Sequence, residues 1–244
     1  MLTNILQLIE LASSRLQGKG WGSNTIKKEF LFASSFFDKA PTLCIDIGGN
    51  KGLYTEEIYK RFPQCKIIVF EPSITNANLL HSKFSKNENI IVEQKAVSNF
   101  HGETSLYSDD DGSGLASLSK RRLDHFLIAF DNVEQVLAIK FEDYWKKQLG
   151  SASIDFVKLD IEGHELDALN GFGDALKFVK IIQFEFGGCN IDTRTYLRDF
   201  WYFFAKNNFE LYRITPFGKI KIKKYRELDE FFSTTNFLAR NLSL

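Results

Sequence analysis

At 244 residues, with 31 basic and 31 acidic side chains, the chain is long enough to bury a core as one domain and carries no net charge to gather nucleic acid or an anionic membrane surface. Hydrophobic residues make up 44% and charged residues 25%, which excludes a disordered or membrane-embedded chain, and 24 Phe against one Met predicts an aromatic core. Cys44, Cys65 and Cys189 are far apart, with no C-x-x-C or Cys/His grouping, so zinc and disulfide frameworks are excluded and reduced thiols in the cytoplasm are expected.

The first residues, "MLTNILQLIELASSRLQ", bring Leu2, Ile5, Leu6, Ile9 and Leu16 near one helical face but lack the basic start and long apolar run of a signal peptide or membrane span. The spacing predicts a helix docked on its own domain, with a membrane or partner as the alternative. The turn-rich joint "GKGWGSN" follows, so residues 1–40 are expected as a helical extension and 41–244 as the main domain.

Strands are expected at "TLCIDI", "KIIVFE", "NIIVEQKAV", "IDFVKLDI", "KIIQFEF", "FELYRI" and "TTNFLAR", and helices over 54–61, 76–86, 165–177 and 193–207. Apolar strands alternating with helices predict an α/β domain with a largely parallel sheet and ligands at the carboxyl ends of its strands. Residues 101–140 break the rhythm; "YSDDDGSGLASLSKRRLDHF" reads as a loop and an irregular insertion near the site. Its Asp run lacks the spacing of a calcium loop and reads as a solvated acidic turn. Near the end, "GKIKIKKYR" alternates Lys219, Lys221 and Lys223 with Ile220 and Ile222, the pattern of a charged edge strand, with contact to an acidic glycan or a carrier diphosphate as the other reading.

The stretch "IDIGGNKG" ends a strand at Asp46 and places Gly48, Gly49 and Gly52 where backbone N–H groups could turn toward a small anionic or zwitterionic ligand at a helix start. Its spacing fits neither the dinucleotide nor the phosphate-loop glycine pattern. The next strand also ends in an acid, Glu71, whose two oxygens match the vicinal hydroxyls of a ribose, so the pair points to a nucleoside-bearing cofactor.

Together "DIGGNKG", "FEP" and "IDFVKLDIEGHELDALNGF" resemble the FkbM family of S-adenosylmethionine-dependent methyltransferases over about 42–240, and the K-x-D-x-E-G-x-E core is the most specific part. The resemblance implies a class I (Rossmann-like) α/β methyltransferase fold: a seven-stranded, mostly parallel sheet with one late antiparallel strand and helices on both faces. It implies that Asp46, Gly48, Gly49, Asn50, Gly52 and Tyr54 surround the methionine portion of S-adenosyl-L-methionine. Glu71, with Pro72, would take the ribose, and Gln94 to Ala96 would border the adenine. Gly49 stands where the family more often has Ala.

In "VKLDIEGHE", extended backbone puts Lys158, Asp160 and Glu162 on one face at a strand mouth. Asp160 is the leading candidate for orienting or deprotonating the acceptor, with a capping role as its alternative, and it would also adjoin the cofactor. Glu162 is a base, a metal ligand or an acceptor for turn amides. Lys158 is a structural ion-pair partner or a site residue. Glu165 is read as stabilising a helix start, and His164 as an exposed or packing residue. Glu185, ending "IIQFEF", joins Asp160 and Glu162 if their strands are neighbours; the three acids could hold Mg²⁺, but a metal-free polar cleft is favoured.

The resemblance implies O-methylation of a small-molecule or glycan-like acceptor, and a monomer or homodimer is expected. A secondary metabolite such as a polyketide is the rival acceptor, and a noncatalytic cofactor-binding subunit the rival class. A nucleic-acid substrate is disfavoured by the neutral charge.

Overall fold

The computed structural model describes residues 2–22 and 25–244; Met1, and Ser23 and Asn24 of the turn-rich joint, lie outside the described residues. The chain opens with helices α1 (Leu2–Leu16) and α2 (Ile26–Ser34). Strand β1 (Leu43–Ile47), helix α3 (Leu53–Arg61), β2 (Lys66–Phe70), α4 (Ile74–Phe84) and β3 (Ile90–Glu93) follow. Next come β4 (Ala96–Val97), β5 (Gly102–Ser108), β6 (Asn132–Ile139), α5 (Phe141–Gln148), β7 (Ile154–Leu159) and α6 (Glu165–Gly171). The last elements are β8 (Val179–Phe186), α7 (Cys189–Thr193), α8 (Leu197–Lys206), β9 (Phe209–Thr215), β10 (Gly218–Lys221) and β11 (Thr235–Asn241).

The main sheet has the order β10-β9-β11-β8-β7-β1-β2-β3. β3, β2, β1, β7 and β8 are mutually parallel, and β11 enters antiparallel between β8 and β9. This is the expected sheet with an eighth strand added, because β10 turns back on β9 as an edge hairpin. The edge position suits its alternating lysines, which discourage strand addition.

Strands β1 and β7 are buried at every residue, as parallel strands covered on both faces must be. One face packs Ile45, Val157 and Phe184 against α5, α6 and α8, and the other packs Cys44, Phe156 and Ile181 against Phe30 of α2 and Ile58 of α3. Ten of the twelve largest fully buried side chains are phenylalanines, which accounts for the composition.

Three expectations change. The run "NIIVEQKAV" is not one strand, because its end, β4, leaves the main sheet to pair with β6. The segment 101–140 is more than a loop: β5 and β6 pair antiparallel along their length and, with β4, make a second small sheet over a core of Ala96, Leu106, Val136 and Ala138. The apolar stripe of α1 does not dock, since Leu2, Leu6 and Ile9 are 56–70% exposed; the packing on the domain belongs to α2, whose Phe30 and Ala33 are fully buried.

Candidate active site

The loop after β1 is closed by its own backbone. Gly48 and Gly49 both donate their N–H to the Phe70 carbonyl at 2.9 and 3.1 Å, and Gly52 donates to Gly49 at 2.7 Å. Asn50 donates its N–H to Glu71 Oε2 at 2.7 Å. The expectation of free amides aimed at a ligand is therefore corrected at these positions: they are consumed in shaping the turn, and what faces outward is rich in acceptors. Gly48 has φ +85°, and a Cβ there would stand 1.9 Å from the Asp160 carbonyl oxygen, so the glycine lets β1 and β7 end side by side. Gly49 and Gly52 face inward as well, toward Val69 and toward Leu80 and Phe84.

Two adjoining clefts open at the carboxyl ends of the strands, with Gly48, Asn50, Asp160 and Glu185 common to both. The first holds about 790 Å³ of empty space between Glu71, Pro72, Lys95, Ala96 and the insertion. Gln94 is exposed and does not line it; its neighbour Lys95 does. The second, about 750 Å³, lies between α2 and the strand ends and is lined by Glu29, Asp46, Tyr54, Lys158 and Asn236.

Buried acids shape both clefts. Asp46, 1% exposed, accepts the Thr55 hydroxyl at 2.5 Å, and burial lifts its carboxyl to about 6 despite that bond. Glu71 accepts the amides of Asn50 and Ser73, and burial nevertheless raises it to about 7. Tyr54 is turned into the core, donating to Gln183 Oε1 at 2.5 Å while its ring stacks on Phe156.

The parallel pairing of β7 with β8 brings Asp160, Glu162 and Glu185 together, with one oxygen of each within 4.8 Å of the others. Lys158 Nζ sits 3.0 Å from Asp160 Oδ2, so it is both an ion-pair partner and a wall of the second cleft. Burial disfavours its ammonium, but the charges of Asp160, Glu29 and Glu185 outweigh that and hold its pKa above the ordinary lysine value. Glu162 is pushed up to about 8 by burial and by Asp160, with Arg121 opposing. Burial and the Asp160 charge likewise raise Glu185 well above the usual carboxylate range.

The turn after β7 divides roles unlike the expectation. Glu165, fully buried at the start of α6, accepts the amides of Ile161 at 3.0 Å and Gly163 at 3.1 Å. Glu162, in the left-handed region at φ +53°, leaves those amides alone and points to Arg121 Nη1 at 2.6 Å. His164 is neither exposed nor simply packed: it lines the first cleft with Nδ1 2.9 Å from Asp167 and Nε2 2.9 Å from the Ser119 hydroxyl.

The insertion folds onto this turn, with Ser117 donating to the Glu162 carbonyl at 2.8 Å and Leu106, Ser113 and Leu118 walling the first cleft. Its Asp109, Asp110 and Asp111 form an exposed turn. Sequence reasoning missed Arg121 and Glu29. The only hint of Arg121 was its place in the segment suspected of lying near the site, and nothing singled out Glu29.

A family profile described as Methyltransferase FkbM domain matches residues 46–231. The chain is 25% identical over 171 residues to "Methyltransferase 1" of Beauveria bassiana, covering 61% of this chain and 67% of that protein. It is 24% identical over 161 residues to "2-O-methyltransferase NoeI" of Sinorhizobium fredii, covering 62% of this chain and 66% of that protein. The chain thus spans about two thirds of the length of these curated relatives. The crystal structure of a methyltransferase FkbM from Methylobacillus flagellatus KT superposes with a TM-score of 0.51 at 12% identity, over 85% of this chain and 47% of that one, a likeness of fold. With the glycine turn, the acid-rich strand ends and the insertion all inside the matched segment, the chain belongs to the FkbM methyltransferase family.

Proposed function

We propose that the chain is an S-adenosyl-L-methionine-dependent O-methyltransferase acting on a hydroxyl of a carbohydrate or glycan-like acceptor, as a cytoplasmic monomer or homodimer. The observation that carries this reading is the convergence of Asp160, Glu162 and Glu185 where the two clefts join. The residues present suit the cofactor. Glu71 keeps lone pairs for a diol beside the amides it already accepts, Pro72 and Ala96 give the first cleft apolar walls, and Asn50 Oδ1 is a buried acceptor with no partner among the described residues. Asp46, Gly48, Asn50 and Tyr54 would border its methionine portion; Gly49 and Gly52 support the loop from behind.

When bound, the cofactor supplies an electrophilic methyl group on a positively charged sulfur. The chain's part is to hold the acceptor oxygen in line and to take its proton. Asp160, 39% exposed in its side chain, is the most accessible of the three acids and is the candidate for orienting or deprotonating the hydroxyl. Glu162 and Glu185, raised by burial, can keep a proton within the cluster. Ser113, Ser117 and His164 line the first cleft with groups able to bond sugar hydroxyls, and one relative's name places its methyl on an oxygen.

Mg²⁺ on the three carboxylates is the second reading, favoured by their spacing. Lys158 and Arg121 already occupy an oxygen on each of two of the three acids, so the metal-free reading is preferred. The test is calorimetry with S-adenosylhomocysteine, followed by mass spectrometry of nucleotide sugars and lipid-linked glycans incubated with enzyme and cofactor, with and without chelator. Absence of cofactor binding by the folded protein overturns the reading, and transfer only to nonsugar metabolites overturns its acceptor.

A further inference from the structure

The second cleft has a wall that the family segment does not supply. Helix α2 lies wholly before residue 46, where the family match begins, yet it carries Glu29 into the cleft. Phe30 and Ala33 of α2 are fully buried in the core containing Phe156 and Ile181, so the helix is fixed on the sheet. Beneath it runs a polar row in register across three strands, Asp46 on β1, Lys158 on β7 and Gln183 on β8. Glu29 Oε2 accepts Gln183 Nε2 at 2.7 Å, and Oε1 accepts the Thr25 hydroxyl. Gln183 is itself held by the Tyr54 hydroxyl at 2.5 Å and by Asn236 at 3.2 Å, so the carboxylate is positioned from several sides.

The charges do not balance. Glu29 is 3% and Asp46 1% exposed, and the side-chain donors they have, Thr25, Gln183 and Thr55, are neutral. Among the described residues no lysine or arginine nitrogen lies within ion-pair distance of either; the nearby buried Lys158 has its ammonium on Asp160 at 3.0 Å. Asn50 Oδ1, which is buried without a partner, belongs to the same cleft. Two buried carboxylates and an orphan amide oxygen offer acceptors without a contacting cation, an arrangement that is costly until a charged N–H donor arrives. The amides of Gly48, Gly49 and Asn50 are spent on Phe70 and Glu71, which leaves this part of the loop presenting acceptors.

We infer that Glu29, from the helix preceding the family segment, is a further acceptor for the α-ammonium of the cofactor's amino-acid end, beside the Asp46 and Asn50 that the family resemblance already places around the methionine portion. The inference rests on the S-adenosylmethionine reading and deepens it: α2 becomes part of the cofactor site.

The full-length chain is titrated calorimetrically with S-adenosylhomocysteine and with 5′-methylthioadenosine, which shares the nucleoside and sulfur but lacks the tail. Glu29→Gln is expected to weaken S-adenosylhomocysteine about tenfold or more, the scale of a lost charge-assisted hydrogen bond, and to leave methylthioadenosine within about twofold. The desamino analogue of S-adenosylhomocysteine, titrated into the unaltered chain, is expected to show a comparable loss, which keeps the test open if Glu29→Gln does not fold. Unchanged S-adenosylhomocysteine affinity in a folded Glu29→Gln protein, equal losses for both ligands, or full affinity for the desamino analogue overturns the role of Glu29 or of the ammonium. If neither nucleoside binds the unaltered chain, the cofactor reading itself falls.

Discussion

Arg121 of the insertion meets Glu162 at the mouth of β7, Nη1 to Oε2 2.6 Å, with the two side chains 9% and 17% exposed. The same guanidinium reaches Asp192 at 3.4 Å, so one side chain ties the small sheet's loop to the turns after both β7 and β8. Burial and the Asp160 charge push the Glu162 carboxyl up to about 8 against the pull of Arg121, so the ionic part of this tie grows as pH rises. Arg121→Met is expected to cost about 3 kcal/mol at pH 9, where an uncompensated buried charge would remain, and distinctly less at pH 6, where Glu162 is neutral. Urea unfolding at the two pH values checks this; equal losses would mean that Arg121 acts through packing and Asp192 alone.

The raised carboxyls also set the sign of the protein's own pH dependence. Asp46 near 6, Glu71 near 7 and Glu162 near 8 all stand above their ordinary values, chiefly through burial. The folded state therefore holds more protons than the unfolded state across this range, and stability falls as pH rises from about 4.5 to 8. Thermal midpoints measured without ligand should decline over that span, and Glu162→Gln should flatten the part near 8. A rise through the window would contradict the assignment.

Gly48 carries a structural demand. Gly48→Ala combines a left-handed backbone with a Cβ 1.9 Å from the Asp160 carbonyl oxygen and is expected to cost about 3 kcal/mol or more, or to prevent soluble expression. Gly188→Ala, at φ −60° and 3.7 Å from its nearest neighbour, should stay within about 0.5 kcal/mol. Denaturant midpoints of the two variants decide.

Glu71→Ala removes the acceptor of two amides, from Asn50 and Ser73, as well as the diol partner proposed for the ribose. Cofactor affinity should drop by about 1 to 3 kcal/mol in calorimetry, alongside a measurable fall in stability. Retained affinity in a folded variant would move the ribose elsewhere.

Asp160→Asn should lower turnover about 10²-fold while sparing most cofactor affinity, the signature of a group that handles the acceptor's proton. His164→Ala, which breaks contacts to Ser119 and Asp167, should change turnover by less than about tenfold. Steady-state rates at saturating cofactor separate the two, and a collapse on losing the imidazole would transfer the base role to it.

The parallel strands were legible because burial on both faces leaves continuous apolar runs such as "LCIDI" and "KIIVF". Strands β5 and β6 were not, since "GETSLYS" and "NVEQVLAI" belong to a small sheet that buries few of their residues. The three acids could be placed together from sequence because strand ends and neighbours follow from the fold type. The cations and acids that answer them could not: Arg121 lies 41 positions from Glu162, and Glu29 lies 154 from Gln183. Helix α1 misled for a different reason, as amphipathic spacing specifies a face without specifying what covers it.

The place of β1 between β2 and β7 has a consequence during synthesis. Its first neighbour emerges from the ribosome within one helix of it, but the second begins only at Ile154. At about 5–20 residues per second, the nascent half-sheet β1-β2-β3 waits roughly 3–12 s with the β1 edge unpaired. The acids of β7 and β8 arrive in that same late portion, so the mouth of the clefts and the protection of that edge are completed together. A ribosome stalled before β7 would therefore display an open strand edge and no cleft.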